Sequence, residues 1–357
     1  MRTAPLAGLA GACYEAGTPL IPAAHQSALV LEQLEALDRD PAAALQRAGL
    51  TAARLRAPGA LLTPLQYLEL LRAARTLLGE REAAFVLGQA LLPGHFGAAS
   101  HALLRAPTLR RALEVLVAHP ARLSPLLAAH WVVEGPLCAL YFTETGASGG
   151  LRAFLVELQM AAVVSMADWL AGERLPWRCC FNRAPPRDTE AHEAHLGTRL
   201  RFDCRIDAML IDAAWLDRPW PGLGPRAAAA LPAATLARQA EAEEPRHALL
   251  SRLYRHLLAA CLPPLAAPAP SLEPTAAHFG LSPATFKRRL AAHGTHFQAE
   301  LDQARAHVAL LLIHCRGQGN DEVARQLGFN DAANFRRSLK RWTGLTPARL
   351  REALGLA

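Results

Sequence analysis

The sequence predicts an α+β N-terminal domain followed by an all-α C-terminal domain with two helix-turn-helix motifs. Two observations predict this division. About two thirds of the chain mixes helical periodicity with short apolar or alternating runs that are typical of strands. The remaining third shows helical periodicity, and it repeats one helix-turn-helix pattern at about residues 272–293 and 320–343.

The N-terminal domain is expected to occupy residues 25–221, after a flexible tail at residues 1–24 that is punctuated by Gly and Pro. The first part of this domain is predicted to be helical. Thr63-Pro64 supplies a cap and a first-turn proline for one helix, and Thr108 caps another helix that carries leucines on one side.

Strands are predicted in the second part of the domain. Two runs, residues 130–133 and 137–143, flank Glu134-Gly135-Pro136 and indicate a β-hairpin. Residues 151–171 are apolar and long enough for a buried helix, which Glu157 and Asp168 make unsuitable for a membrane span. Further short strands are predicted at residues 178–181, 201–202 and 209–211, with a helix at residues 189–196.

A Pro-, Gly- and Ala-rich segment, residues 222–245, is expected to link the two domains. The C-terminal domain then covers residues 246–357. It holds 15 Lys and Arg against 7 Asp and Glu, a balance of +8, whereas residues 1–245 hold 23 against 24. All of the chain's net charge of +7 therefore lies in the C-terminal domain, where it suits the binding of a polyanion.

The second helix-turn-helix has a short first helix with Val323 and Leu327 on one face. Gly328 ends this helix because glycine tolerates a left-handed backbone, and Asp331 is a good N-cap for the next helix. Three apolar residues of that next helix recur at helical spacing and are expected to face the core: Phe335, Leu339 and Trp342. Four basic residues remain on its outer face: Arg336, Arg337, Lys340 and Arg341.

The first helix-turn-helix repeats this pattern. Gly280 forms the turn, Ser282 caps the second helix, and Pro283 takes its first position, where the missing N–H costs nothing. Phe286 and Leu290 are expected to face inward, away from the basic residues Lys287, Arg288 and Arg289. One basic amphipathic helix is most often a solvated surface, but the repetition favours a nucleic-acid interface.

Three segments follow one another in the C-terminal domain: GLSPATFKRRL, the helix at residues 305–312, and LGFNDAANFRRSLKRWTGLTP. On these segments residues 271–352 resemble the DNA-binding domain of AraC/XylS-type transcription regulators. PAAALQRAGL, APTLRRALEVL and LGTRLRFD extend the resemblance to residues 25–221, which are similar to the N-terminal effector domain, related to the arabinose-binding domain, in one branch of that family.

The resemblance implies a cytoplasmic transcription regulator that binds double-stranded operator or promoter DNA and a small-molecule effector, with RNA polymerase and a second copy of the chain as further partners. The N-terminal half of each second helix is expected to enter a major groove. Base edges are expected to be contacted by Lys287, Arg288, Arg336 and Arg337. Small side chains are expected closest to the bases: Ala284, Thr285, Ala332 and Ala333. Phosphates are expected to be contacted by Arg289, Lys340 and Arg341.

Two other classes of function remain open from the sequence: an architectural DNA-binding protein, and an enzyme domain that acts on a metabolite and is tethered to DNA. His192-Glu193-Ala194-His195 is one residue short of the H-E-x-x-H zinc motif, so a surface helix is the preferred interpretation. The seven cysteines form no C-x-x-C pair, and neither a metal nor a cofactor is expected. Six aromatic residues are candidates either for ordinary core or for the lining of an effector pocket: Trp131, Tyr141, Phe142, Phe154, Trp169 and Trp177.

Overall fold

The computed structural model describes residues 2–3, 13–146, 148–221, 246–262 and 270–354. The chain divides into two compact units. The N-terminal unit comprises Met1–Cys180, Ala184–Leu200 and Asp207–Ala248, and the C-terminal unit comprises Phe181–Arg183, Arg201–Ile206 and Leu249–Ala357. The predicted linker at residues 222–245 lies outside the described residues, so its extent stays a prediction.

The N-terminal unit is α+β, as the sequence predicts. A π-helical turn at Ala23–Ser27 precedes its α-helices. In chain order the helices are α1 (Ala28–Ala36), α2 (Pro41–Arg47), α3 (Ala52–Arg56), α4 (Pro64–Leu78), α5 (Ala83–Leu91), α6 (Ala98–Leu104), α7 (Leu109–Ala118), α8 (Pro120–Leu123), α9 (Arg152–Ala171) and α10 (Glu190–Leu196). A 3₁₀ turn at Ala213–Trp215 follows them.

Eight short strands accompany these helices: β1 (Arg2–Thr3), β2 (Ile21–Pro22), β3 (Leu61–Leu62), β4 (Leu127–Glu134), β5 (Leu137–Glu144), β6 (Arg178–Cys180), β7 (Leu200–Arg201) and β8 (Ala208–Asp212). Six of them form one sheet in the order β1-β4-β5-β8-β6-β7, and β2 pairs with β3. The predicted hairpin is confirmed, because Glu134 pairs with Leu137 across Gly135-Pro136 and Gly135 adopts a φ of +56°. Antiparallel pairing along β4, β5 and β8 gives the sheet its central strands.

Helix α9 lies in the core of the N-terminal unit, where it packs closely against α5. A Cβ built on Gly88 of α5 would lie 2.4 Å from the Leu158 carbonyl oxygen and 2.8 Å from the Ala161 Cβ, so this contact requires glycine. Among the described residues, α9 alone is long and apolar enough to cross a membrane, and 72% of its apolar stretch is buried within the protein. Such burial is typical of a core helix.

The ionisable residues of α9 all have polar partners. Arg152 pairs with Glu144 at 3.0 Å and with the buried Asp207 at 2.6 Å. Asp168 accepts a hydrogen bond from the Leu175 amide at 2.8 Å, and burial raises the pKa of this carboxyl. These partners allow a mostly buried helix to contain charged groups.

The N-terminal residues depart from the expected flexible tail. Arg2 pairs with Val133 at the edge of the six-stranded sheet. Tyr14 is buried, and its hydroxyl donates to the Pro125 carbonyl oxygen at 3.1 Å, while Ile21 is fully buried in β2. Burial of an aromatic ring and strand pairing hold these residues in the unit; residues 4–12 lie outside the described part of the chain.

The C-terminal unit is helical in the described residues from Leu249 onward, as predicted. Its helices are α11 (Leu249–Cys261), α12 (Leu272–His278), α13 (Pro283–Ala292), α14 (Phe297–Arg316), α15 (Asn320–Gln326), α16 (Ala332–Thr343) and α17 (Pro347–Leu354). Helix α14 forms the centre, with Ala304, Val308 and Leu312 buried along one side. Tyr254 of α11 packs on it through a hydroxyl that lies 2.7 Å from His307 Nδ1.

Candidate nucleic-acid interface

The first helix-turn-helix consists of α12 and α13, and its turn follows the predicted chemistry. Gly280 has a φ of +67°, which a residue with a Cβ adopts only with strain. Ser282 Oγ accepts a hydrogen bond from the Thr285 amide at 3.2 Å and so caps α13. Pro283 occupies the first helical position. These contacts fix where α13 starts and therefore which of its side chains face outward.

Helix α13 separates an aromatic inner face from a basic outer face. Phe286 and Leu290 are fully buried, and Phe286 stacks on Phe279 with ring centroids 5.4 Å apart. Among the predicted DNA-contacting residues, the exposed ones are Ala284, Lys287 and Arg288, and the half-buried ones are Thr285 and Arg289. The structure thus brings Ala284, Lys287 and Arg288 to the solvent side of one helix.

The second helix-turn-helix consists of α15 and α16. Gly328 has a φ of +75° at the turn, and Asp331 then caps α16 through one carboxylate oxygen. Asp331 Oδ1 accepts from the Asn334 amide at 2.6 Å, and Oδ2 accepts from the Asn334 side chain at 2.6 Å. Phe335 and Leu339 are fully buried. Both predicted N-caps and both left-handed glycines are therefore confirmed.

Trp342 differs from the expectation that it faces the core. It is half-buried, and its ring lies against Phe329 with centroids 5.8 Å apart. The buried position at this end of α16 belongs to Thr343, whose hydroxyl donates to the Leu339 carbonyl oxygen at 2.7 Å. Thr343, and not Trp342, therefore continues the buried row of Phe335 and Leu339 at the end of α16.

The outer face of α16 is strongly basic. Arg336, Arg337, Lys340 and Arg341 are exposed, as is Ala333, whereas Ala332 is half-buried. At roughly 100° per residue, Ala333, Arg337 and Lys340 point in nearly the same direction, with Arg336 beside them. These four side chains form one surface of small and basic residues, which a DNA groove would accommodate.

Arg341 is placed differently from its basic neighbours. Its guanidinium lies 3.4 Å from the Asp302 carboxylate of α14 while its side chain stays 65% exposed. Arg337 also has a local contact, because its Nη2 donates to Asn334 Oδ1 at 2.5 Å. The Asp302 pair partly neutralises Arg341, a difference that the sequence pattern does not reveal.

Helix α14 connects the two helix-turn-helix motifs. It has 20 residues, and at about 1.5 Å per residue it spans about 30 Å. It ends at Gly317, whose φ is +62°. A connector of this length approaches the separation of about 34 Å between successive major-groove faces of DNA.

The His-Glu-Ala-His segment belongs to α10, which packs on the core rather than lying free on the surface. His192 is buried, and its Nε2 lies 3.0 Å from Glu157 Oε1 of α9. His195 Nδ1 lies 2.7 Å from Gln89 Nε2, and burial lowers the pKa of this imidazole. Both rings lie 5.0 Å from the Phe85 ring. No group of three or more metal-ligating residues occurs among the described residues.

The six aromatic candidates divide into two classes. Five are buried in the N-terminal unit: Trp131, Tyr141, Phe142, Phe154 and Trp177. Trp169, near the end of α9, is 63% exposed, so it belongs neither to the core nor to an enclosed pocket. None of the six lines the pocket that includes Tyr67 and Gln159 or the pocket that includes Tyr14 and Pro64.

Comparison with known protein families gives a match for each of the two parts of the chain. Residues 39–220 match the family described as the arabinose-binding domain of AraC transcription regulator, N-terminal. Residues 275–353 match a helix-turn-helix domain family. The first match spans more than half of the chain, and the second covers both helix-turn-helix motifs described above except the first three residues of α12.

This chain is also similar, in sequence or in structure, to individual transcription regulators. The ornithine utilization regulator of Pseudomonas aeruginosa is 29% identical over 306 residues, which is 84% of this chain and 87% of that protein. The HTH-type transcriptional regulator VqsM of the same species is 32% identical over 84 residues, 24% of this chain and 26% of that protein. The crystal structure of transcriptional regulator CdpR from Pseudomonas aeruginosa aligns with 92% of this chain and 98% of its own at 18% identity and a TM-score of 0.41.

Proposed function

Since this chain belongs to the AraC family of transcription regulators, we propose that it binds operator DNA by inserting α13 and α16 into two successive major grooves. The proposal rests on one observation, which is that α13 and α16 have the same arrangement of capping, buried and basic residues. Each is capped at its first turn, buries a phenylalanine and a leucine, and exposes basic residues on the opposite side. A 20-residue helix separates them, which suits one helical repeat of DNA.

The basic residues have two roles in this proposal. Lys287, Arg288, Arg336 and Arg337 contact base edges, since a guanidinium can donate two hydrogen bonds to guanine O6 and N7. Ala284, Thr285, Ala332 and Ala333 bring the backbone close to the bases. Arg289, Lys340 and Arg341 contact phosphates and so contribute affinity without sequence preference.

The N-terminal domain is proposed to bind a small effector and to change how the two recognition helices, α13 and α16, are presented to DNA. The likeness to the ornithine utilization regulator, over most of both chains, supports control of genes for the use of a small metabolite. Assembly into a homodimer, contact with RNA polymerase and action in the cytoplasm belong to the same proposal.

The proposal gives the N-terminal domain a binding role and no catalysis. Its buried thiols support this assignment, because burial raises the pKa of Cys138 and of Cys179 to about 12. A thiol with so high a pKa stays protonated near neutral pH and is a poor nucleophile. Turnover of a metabolite by the full chain would contradict the assignment.

The test of DNA recognition begins with selection of preferred sites from random DNA by the full chain. Arg288→Ala and Arg336→Ala are then compared on the selected site. Each variant is expected to lose about 1–3 kcal/mol of binding free energy and to relax the preference at a few base pairs, because a bidentate base contact is lost. Arg54→Ala, an exposed arginine at the end of α3, is the matched control. Unchanged base preference in both recognition-helix variants would overturn the proposal.

A further inference from the structure

Three polar side chains at the start of α16 form one row of hydrogen bonds. Asp331, Asn334 and Arg337 are three residues apart, so they lie next to one another along one side of the helix. Asn334 Nδ2 donates to Asp331 Oδ2 at 2.6 Å, and Arg337 Nη2 donates to Asn334 Oδ1 at 2.5 Å. Asn334 therefore connects the N-cap of α16 to an arginine that is proposed to contact base edges.

The chemistry of the two ends fixes the direction of this row. A carboxylate only accepts hydrogen bonds and a guanidinium only donates them, so the Asn334 amide directs its nitrogen to Asp331 and its oxygen to Arg337. Both bonds involve an ionised group, which makes them stronger than bonds between neutral groups. The acceptor end is itself held, because Asp331 Oδ1 also accepts from the Asn334 backbone amide at 2.6 Å.

The row draws the Arg337 guanidinium toward the N-terminal end of α16. The side chain reaches back one turn to Asn334, which is half-buried at the third position of the helix. In helix-turn-helix proteins the N-terminal residues of the recognition helix contact the base edges. The bond to Asn334 uses a single guanidinium N–H group, which leaves a forked edge of the guanidinium for O6 and N7 of a guanine.

Helix α13 lacks this row, although its arginine has the same place. Thr285 and Arg288 occupy the third and sixth positions of α13, as Asn334 and Arg337 do in α16. Ser282 Oγ donates to Thr285 Oγ1 at 2.9 Å, but the structure gives Arg288 no hydrogen bond or ion pair among its described residues. The two recognition helices thus differ in how their arginines are held, and α13 supplies an internal comparison.

We propose that Asn334 is a positioning residue that holds the Arg337 guanidinium in the orientation in which it contacts a guanine. An arginine without such a bond samples many rotamers and loses that freedom when it binds DNA. Arg337 has lost part of this freedom before DNA binds, so its base contact costs less conformational entropy. The inference rests on the proposed DNA binding by α16, and it adds a residue that determines specificity without contacting a base.

The first test needs no DNA. Nuclear magnetic relaxation of the arginine Nε–H groups in the full chain measures how strongly each side chain is ordered. Arg337 is expected to be more ordered than Arg336, to which the structure gives no hydrogen bond or ion pair among its described residues. Asn334→Ala should lower the order of Arg337 to that of Arg336 and leave Arg336 unchanged. Equal order of Arg337 in the parent chain and in the variant would overturn the inference.

The second test measures binding to the selected operator and to random DNA. Asn334→Ala is expected to weaken operator binding about fivefold, because Arg337 then has to be ordered by DNA alone. Its affinity for random DNA should stay nearly unchanged. The base preference should relax at the same base pair as in Arg337→Ala. The double variant that combines both substitutions should bind as Arg337→Ala does, since Asn334 acts through that arginine.

Thr285→Ala and Arg288→Ala form the matched control pair, in which the losses should add because no bond joins the two side chains. Folding of the Asn334→Ala variant is checked by amide hydrogen exchange across α16. Alanine is a better helix former than asparagine, and the cap bonds the backbone amide of residue 334, so protection should not fall. A change in base preference with full protection therefore has its source in Arg337 and not in the stability of the helix.

Two results of the binding test would overturn the inference. Relaxed preference of Asn334→Ala at a different base pair would mean that Asn334 contacts a base itself, as asparagine does with adenine. Additive losses from Asn334→Ala and Arg337→Ala would mean that the two side chains act separately.

Failure of the proposed function gives a different result. If the full chain selects no DNA site, the proposed function fails, and the relaxation measurement still decides whether Asn334 orders Arg337. If Arg337→Ala relaxes the base preference and Asn334→Ala does not, the proposed function stands and the inference fails.

Discussion

Single side chains on α16 determine how much positive charge DNA encounters. Lys340 is exposed, and the structure gives it no ion pair among the described residues, whereas Arg341 lies 3.4 Å from Asp302. Lys340→Ala is therefore expected to reduce the slope of log affinity against log salt by about one ion. Arg341→Ala should reduce it by less, because Asp302 already neutralises part of its charge.

The measurement is the affinity for the selected site and for random DNA at several salt concentrations. Asp302→Asn provides the complementary control, since it releases Arg341 and should make the slope steeper. Equal slopes for Lys340→Ala and Arg341→Ala would show that the Asp302 pair opens on DNA and does not limit Arg341.

Individual side chains are also where the sequence gives least information. Trp169 is an apolar residue in an apolar helical run, yet its side chain is 63% exposed. The side of α9 on which it lies decides its exposure, and its apolar character does not. Gln26 and Gln159 are far apart in the chain and belong to no motif, so nothing in the sequence marks them as neighbours. Tertiary packing brings them to one cavity, and periodicity does not describe tertiary packing.

At the scale of elements, the N-cap of α16 fixes the start of a recognition helix. Asp331→Ala is expected to lower the free energy of opening of α16 by about 1 kcal/mol, since the Asn334 amide loses its acceptor. Asp331→Asn should retain most of this stability, because asparagine caps nearly as well. Amide hydrogen exchange across α16 measures the change.

Ser282→Ala tests the specificity of that measurement. It removes the equivalent cap of α13 and should lower protection there while leaving α16 unchanged. Equal loss of protection in both helices on either substitution would mean that the two recognition helices open as one unit.

The contact between α11 and α12 predicts a pH dependence of folding. His256 stacks on His278 with ring centroids 4.2 Å apart, and burial, followed by the neighbouring His278, lowers the pKa of His256. The unfolded state therefore takes up a proton at a higher pH than the folded state does. The contribution of a neutral His256 to the free energy of unfolding is fully present above the unfolded pKa of about 6.5. It is lost as the pH drops below that value.

His256→Gln should flatten the decrease in the thermal midpoint of the C-terminal unit between pH 7 and pH 5. His296→Gln, at an exposed histidine of the same unit, is the control and should leave the decrease in place. A decrease of the same size in the His256→Gln variant would rule out His256 as its source.

Elements with strong local signals could be predicted from the sequence. The capped helices α4 and α7, the long helix α9 and the β4–β5 hairpin all occur where caps, periodicity and a Gly-Pro turn indicate them. Strand β1 has only two residues and exists through pairing with β4, so no local pattern indicates it.

At the scale of the whole molecule, the account requires that effector and DNA affect each other's binding. A coupling of about 1–3 kcal/mol is typical between two sites of one protein, and the effect must be reciprocal. We expect an effector that binds the N-terminal domain to change the affinity for operator DNA. The same factor should appear in the effector's affinity when DNA is bound.

Titration of the full chain with each ligand, in the presence and absence of the other, measures both factors. Identical DNA affinity with and without bound effector would show that the N-terminal domain regulates by some other route.

Methylation interference at guanine N7 on the selected operator tests the central claim most directly. If α13 and α16 enter successive major grooves, each monomer gives two groups of interfering guanines, about 10 base pairs apart on one face of the DNA. Arg288→Ala should remove interference from one group, and Arg336→Ala from the other. A single group per monomer, or loss of the same group in both variants, would contradict the two-groove arrangement.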